Sequence, residues 1–383
     1  MRRPEGSSVG AAVLTTDMVV ASGVGSWPGT DVREALRAVR DVLTESPEGV
    51  TTVPYLPELP ARGPGADMVG RATALLVDLP VDLQPQGWRM VDRPGRDAER
   101  TASYWRQDLD ELAEAYDGWA GPLKLQVAGP WTLAAELWLP LGDRVLSDTG
   151  ATRDLAESLA EGVRAHLADV ARLVPGAQLV LQIDEPTLPA VLLGRIRSDS
   201  GFRVLAAPDV SQAEQVLGSV LAAARAAGAS TVVHCCGDQP PVDLLRGAGA
   251  DALALDSSRL DRRGWDAVAE AVEAGTRFWA GLLPTTGAPS RERAGAPSRA
   301  RAGEPSHQRA GGASHQRAGG ASREKATDAL VARWHELGLA PATLADVGLT
   351  PTCGLASAAP DEALAITRGT VEGARALAEA AAG

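Results

Sequence analysis

His234 and Cys236 offer an imidazole and a thiol two positions apart, in the stretch Ser230–Gly237 that reads STVVHCCG. β-Branched Thr231, Val232 and Val233 make that stretch a short strand, broken at Gly237. Side chains two apart on a strand share a face, so His234 and Cys236 point one way and Cys235 the other. An imidazole and a thiolate at one strand end are half of a tetrahedral zinc site. The plainer reading is a buried cysteine pair beside a satisfied core histidine, and this stretch alone does not choose between them. Two further candidate ligands lie far along the chain: Asp256, ending the next apolar segment, and Cys353, following the last. Two thiolates, an imidazole and a carboxylate suit Zn2+ better than Mg2+ or Ca2+, which prefer all-oxygen shells. Deprotonated, the four would carry about −3, more than the ion cancels, which favours ligand exchange over water activation.

Positioning four such groups needs a scaffold. Eight short apolar segments recur: Val19–Ser26, Thr51–Leu56, Leu123–Ala128, Gln178–Ile183, Thr231–Cys236, Ala252–Leu255, Phe278–Leu283 and Thr343–Gly348. Amphipathic stretches such as Asp31–Thr44, Ala98–Trp119, Arg153–Leu173, Ser211–Ala227 and Asp261–Ala274 lie between them. Strands alternating with helices predict a parallel sheet, and eight repeats predict closure into a (β/α)8 barrel. An open doubly wound sheet would want a glycine-rich phosphate turn, and Gly23-Val24-Gly25-Ser26-Trp27-Pro28 does not lead into one. Function in a barrel sits where strands end. Those ends here carry Gly25-Ser26, Glu58, Asp184-Glu185-Pro186, His234-Cys235-Cys236, Asp256 and Cys353, whereas strand starts carry ordinary Gly, Ala and Arg.

At 383 residues the chain suits one barrel domain over residues 19–383, preceded by a flexible N-terminus over residues 1–18. A net charge of −12 argues against nucleic acid as a partner. No apolar run reaches the length of a membrane span, and Met1–Asp17 lacks the apolar core of a signal peptide. Three cysteines, two of them adjacent, are no disulfide framework. The expectation is a cytoplasmic protein. Residues 287–325 depart from the pattern, repeating an eight-residue unit from Arg293 (RAGAPSRA, RAGEPSHQ, RAGGASHQ, RAGGASRE). With seven Arg and one Lys against three Glu, the segment carries +5 and leaves −17 elsewhere. Nothing in it but Ala and Pro is apolar, so it reads as a disordered low-complexity insertion, and His307 and His315 within it are poor ligand candidates.

Several motifs resemble those of one family. HCCGD, LALDSSR and TPTCGL are similar to the zinc-ligand set of the cobalamin-independent methionine synthases, which has H-x-C, a Glu in an I-E-T/S-S-R setting and D-C-G-L. LQIDEPTL (Leu181–Leu188) resembles the family's Q-x-D-E-P-A-L, and VGSWPGT (Val24–Thr30) its I-G-S-F-P-Q-T. Weaker echoes are ADMVG (Ala66–Gly70), QGWR (Gln86–Arg89) and VAGPWTL (Val127–Leu133). The resemblance runs from about Val19 to Ala380 apart from the repeat, and points to the catalytic barrel of that family.

It implies a zinc-dependent transfer of a methyl group to a thiol, with homocysteine as acceptor and methionine as product. His234, Cys236, Asp256 and Cys353 would hold Zn2+. Gly25, Ser26, Glu58 and Asp184 would hold the amino acid's ammonium and carboxylate, Asp184 serving also in catalysis. The donor would be methyltetrahydrofolate or a methylated corrinoid on a partner protein. Departures bear on this. Asp256 stands where the family has Glu, one methylene longer. The family's catalytic His falls near Leu283–Thr286, where there is none, and an acidic residue of the family is Ala190 here. Its folate-stacking Trp matches Trp138 only with a shift. The family's full-length enzymes carry a further N-terminal barrel for the folate tail, which leaves the donor open. Two alternatives follow: a corrinoid-dependent methyltransferase for another thiol, and a catalytically silent relative that binds zinc or an amino acid. His166 and His335 sit on helices and are not ligand candidates.

Overall fold

The computed structural model describes residues 17–285 and 312–383, so most of residues 1–18 and of the 287–325 repeat lie outside the described residues. The strands are β1 (Val19–Ser22), β2 (Val50–Val53), β3 (Val81–Gln84), β4 (Gly87–Met90), β5 (Gly121–Ala128), β6 (Ala177–Asp184), β7 (Ser230–Cys235), β8 (Ala252–Asp256), β9 (Arg277–Leu283) and β10 (Gly348–Pro351). The helices begin with α1 (Val32–Leu43), α2 (Met68–Thr73), α3 (Arg96–Ala115), α4 (Pro130–Glu136), α5 (Thr149–Leu173) and α6 (Leu188–Leu192). They continue with α7 (Val210–Ala226), α8 (Val242–Gly247), α9 (Arg262–Glu273), α10 (Gly312–Glu336) and α11 (Pro360–Ala382).

Eight strands form one parallel sheet in the order β2-β1-β10-β9-β8-β7-β6-β5. Its two ends meet just past β2: Lys124 N–H donates to the Pro54 carbonyl (2.8 Å) and Leu56 N–H to the Lys124 carbonyl (3.1 Å). This is the (β/α)8 barrel that the alternation of segments predicts.

Strand parity sorts the core into two layers. Val20, Val53, Val180, Val232, Ala252, Ala254 and Trp279 form a small apolar cluster inside the barrel. Their strand neighbours of opposite parity, such as Leu181, Val233, Cys235, Leu253 and Ala280, join the larger layer under the helices. The large Trp279 ring fits because Gly348 faces it: a Cβ there would stand 2.5 Å from the indole.

Two elements differ from expectation. The last strand is Gly348–Pro351 and not Thr343–Gly348, because Pro341 starts a 3-10 turn over Pro341–Asp346. The QGWR stretch belongs to an antiparallel hairpin, β3–β4, that the pattern of apolar segments does not predict. Helix α10 spans Gly312–Glu336, and its first turns take in the backbone of the last part of the repeat.

Candidate functional site

His234 is the penultimate residue of β7, and Cys236 directly follows the strand. Cys353 follows β10, three positions away in the sheet order. The ligand atoms of His234, Cys236 and Cys353 lie within 4.8 Å of one another. The two sulfurs are 3.3 Å apart, although 117 residues separate them. Nδ1 of His234 lies 3.1 Å from the Ala254 carbonyl, which accepts its proton and fixes the tautomer. Nε2 is then a lone-pair nitrogen, and it is buried without a hydrogen-bond partner. Burial pulls the imidazole toward neutrality, but the Cys353 sulfur and the Asp184 carboxylate outweigh it and raise its pKa. The Cys236 thiol, and after it His234, lower the pKa of Cys353 against the opposing effect of burial, and Cys353 together with burial raises that of Cys236. Cys235 points the other way into the layer under the helices, where burial pushes its thiol up to about 12.

An orphaned imidazole nitrogen beside two sulfurs is the donor set that Zn2+ takes, so these residues fit the ion. Bonds of about 2.3 Å to a tetrahedral centre would part the sulfurs to roughly 3.8 Å, a small adjustment. Asp256 does not join the group. It ends β8 on the inward face, but its Oδ1 accepts from Ser258 N–H (3.0 Å) and Ser258 Oγ (2.6 Å).

A second set of groups lines the same mouth. Asp184 ends β6 beside His234 in register, and Glu58 bridges Ser26; both carboxylates are buried. Burial raises Asp184 to about 6, against the pull of His234 and Lys124. Burial likewise raises Glu58 to about 7, with Arg71 opposing and Asp184 adding to it. Two buried carboxylates with raised pKa values are groups that a nearby cation would stabilise in their charged form. Ser26 ties this set to the first. Its carbonyl accepts from Leu355 N–H (2.9 Å) and its Oγ from Ala356 N–H (3.3 Å), just past Cys353. Gly354 makes that approach possible: a Cβ there would stand 2.1 Å from Ser26 Oγ.

Below these groups lies a polar brace that the motifs alone do not reveal. Lys124, wholly buried, donates to the Val24 carbonyl (2.7 Å) and to Gln182 Oε1 (2.9 Å). Gln182 Nε2 donates to the same carbonyl (2.8 Å) and to Asp184 Oδ1 (2.7 Å). Gln126 Nε2 donates to the Leu56 carbonyl (2.6 Å), two residues before Glu58. Burial lowers the Lys124 amine to about 7 although Asp184 and Glu58 pull it upward. The signal was present: polar residues two apart in apolar strands, K-L-Q in β5 and Q-I-D in β6, must share the inward face.

The other expected positions have structural employment. Glu185 accepts from Trp131 N–H (2.9 Å), Thr132 N–H (2.7 Å) and Thr132 Oγ1 (2.7 Å), capping α4. Trp138 is buried, with the guanidinium groups of Arg144 and Arg89 4.7 and 5.6 Å from its ring centroid. His166 is buried edge-on against Trp105, and His335 is exposed on α10. Past β9 the described residues end at Pro284 and a buried Thr285.

A family model described as the catalytic domain of cobalamin-independent synthase matches residues 18–296, a span that holds every site residue above except Cys353. Among solved structures, a B12-independent methionine synthase from Shewanella sp. W3-18-1, in complex with selenomethionine, shares the fold. The match has a TM-score of 0.50 and 11% identity, and covers 94% of this chain and 97% of that one. An oxaloacetate acetylhydrolase in complex with oxalate is far less similar, with a TM-score of 0.32, 13% identity and 71% and 68% of the two chains covered. No curated protein matches the sequence significantly.

Proposed function

This chain belongs to the cobalamin-independent synthase catalytic-domain family, and from that premise we propose that it methylates the thiol of homocysteine to give methionine. The observation that carries the reading is the convergence of His234, Cys236 and Cys353 beside a buried pair of carboxylates. His234 through Nε2 and the two cysteines through sulfur would hold Zn2+. When bound, the ion supplies a Lewis acid that keeps a thiol near pKa 8.5 deprotonated at neutral pH.

The chain's own residues do the rest. Asp184 and Glu58 take the substrate ammonium, a cation that relieves two carboxylates otherwise buried against their preference. The Gly25–Ser26 segment lies between Glu58 and the Cys353 loop, where a substrate carboxylate is in reach of its backbone and hydroxyl. A substrate held at its amino-acid end then has its side chain directed toward the thiols. Asp184 sits between the two sets and serves both, by anchoring the ammonium and by supporting His234 electrostatically. This division of labour favours a 2-amino acid bearing a short thiol.

The methyl donor is methyltetrahydrofolate or a methylated corrinoid on a partner protein. An assay with zinc-loaded protein, homocysteine and either methyltetrahydrofolate or methylcobalamin tests the reading, and methionine formed from either donor supports it. Homocysteine binding with proton release and no turnover would instead support a silent amino-acid-binding relative, a reading motivated by the lack of a histidine near Leu283–Thr286, where the resemblance would put the family's. Turnover with a different thiol alone would support the corrinoid-dependent alternative.

A further inference from the structure

The acidic residue at the end of β8 has a different set of partners from those a metal ligand would keep. Asp256 is buried and caps the 3-10 turn Ser257–Arg259, its Oδ1 accepting from Ser258 N–H and Ser258 Oγ. Its Oδ2 lies 3.4 Å from Arg259 Nε. The Arg259 guanidinium also pairs with Asp238, two residues after Cys236. Asp256, Arg259 and Asp238 thereby link the loop after β8 to the loop that carries Cys236. The side chain is also short for the alternative task, one methylene less than a glutamate, or about 1.5 Å of reach. It is absent from the group whose ligand atoms lie within 4.8 Å of one another.

We propose that Asp256 is a positioning residue for the Cys236 loop and not a ligand, so that the ion has three protein ligands and a fourth position open to the substrate sulfur. The proposal rests on the zinc reading above. Two thiolates and a neutral imidazole balance the charge of Zn2+, whereas a bound Asp256 would leave the centre anionic and less receptive to another thiolate. Three protein ligands with one exchangeable position is also the arrangement of catalytic zinc sites, in contrast to the closed shells of structural ones.

The test is metal binding by the full-length chain, stripped of metal and titrated with Co2+ and with Zn2+ against a competing chelator. The variants are Asp256→Asn, Asp256→Glu, Arg259→Met and Cys353→Ser. Asp256→Asn keeps the Ser258 hydrogen bonds and loses only the charge toward Arg259. Its affinity is expected to change by no more than about fivefold, the scale of an exposed ion pair. Its cobalt d–d bands should match wild type, and adding Arg259→Met should change nothing further, since both cut one link. Asp256→Glu should gain no affinity. Cys353→Ser should lose more than the roughly 100-fold that supporting residues command, together with part of the sulfur-to-cobalt charge-transfer band. A shifted d–d envelope in Asp256→Asn, or a loss of affinity matching Cys353→Ser, would overturn the three-ligand assignment while leaving the zinc reading intact. Wild-type protein that binds neither ion would remove the zinc reading, and this inference with it.

Discussion

The proposed metal corner and the proposed amino-acid corner of the barrel mouth are built on opposite plans. At the amino-acid corner every candidate group is held from below or beside. Lys124 and Gln182 grip the Val24 carbonyl and Asp184, Gln126 grips Leu56, and Glu58 pairs by backbone with the Gly25–Trp27 segment. At the metal corner, His234 is fixed through Nδ1, but its Nε2 has no partner and the two sulfurs have chiefly each other. One corner is preorganised by buried hydrogen bonds, and the other is completed by what binds there. The contrast teaches how the work is divided. On the proposed reading, rigid placement would select the substrate by its constant amino-acid end, and the ion would adjust the one group that reacts.

Breaking the metal corner should have the largest effect. Cys353→Ser is expected to drop zinc content well below one per chain and to abolish methyl transfer, while the melting temperature of the apo protein stays near wild type. Zinc analysis with thermal denaturation checks both. At the amino-acid corner, Glu58→Gln should raise the KM for homocysteine at neutral pH and flatten its pH dependence. The sign follows from a pKa of about 7, set by burial against the opposing pull of Arg71 and Lys124 and the push of Asp184 and Asp67. As pH falls through 7, wild-type Glu58 takes a proton and loses its hold on the ammonium, so KM rises; the Gln variant loses that limb and keeps only the one nearer pH 6 that Asp184 supplies. Initial rates from pH 6 to 8 decide the point.

The brace sharpens the comparison further. Lys124→Met and Gln182→Met are each expected to raise the homocysteine KM by about tenfold, the worth of one charge-assisted hydrogen bond, with zinc content and kcat little changed. Because both act through one network, the double variant should fall well short of the product of the two. Equal losses of zinc and of homocysteine affinity would mean the corners are not separable. The smallest functional effect belongs to Cys235→Ser. Placing a hydroxyl in the apolar layer under the helices should cost about 1–3 kcal/mol of stability and leave metal content unchanged, since that side chain faces away from the mouth.

Much of this was legible in the chain, for identifiable reasons. Period-2 parity separates Cys235 from Cys236 without coordinates, and apolar runs alternating with amphipathic ones give the barrel. What escaped was held by tertiary context. Thr343–Asp346 has strand-like composition, yet Pro341 turns it into a 3-10 turn and the strand starts at Gly348, the one residue that admits the Trp279 ring. Asp256 has the right chemistry and the right face for a ligand, and its contacts with Ser258 and Arg259 are ones that no sequence rule shows. Lys124 reads as an ordinary strand residue until the segment after β1 and strand β6 bring a carbonyl and an amide to its side-chain nitrogen. Polar side chains two apart in an apolar strand signal the inward face; which partners they meet there is a property of the closed barrel.

The most direct test is X-ray absorption at the zinc edge of the purified, metal-replete chain, compared with Cys353→Ser. The account predicts two sulfur scatterers at about 2.3 Å and one imidazole, falling to one sulfur in the variant. A wild-type shell of nitrogen and oxygen alone, or a sulfur count unmoved by removing Cys353, would contradict it.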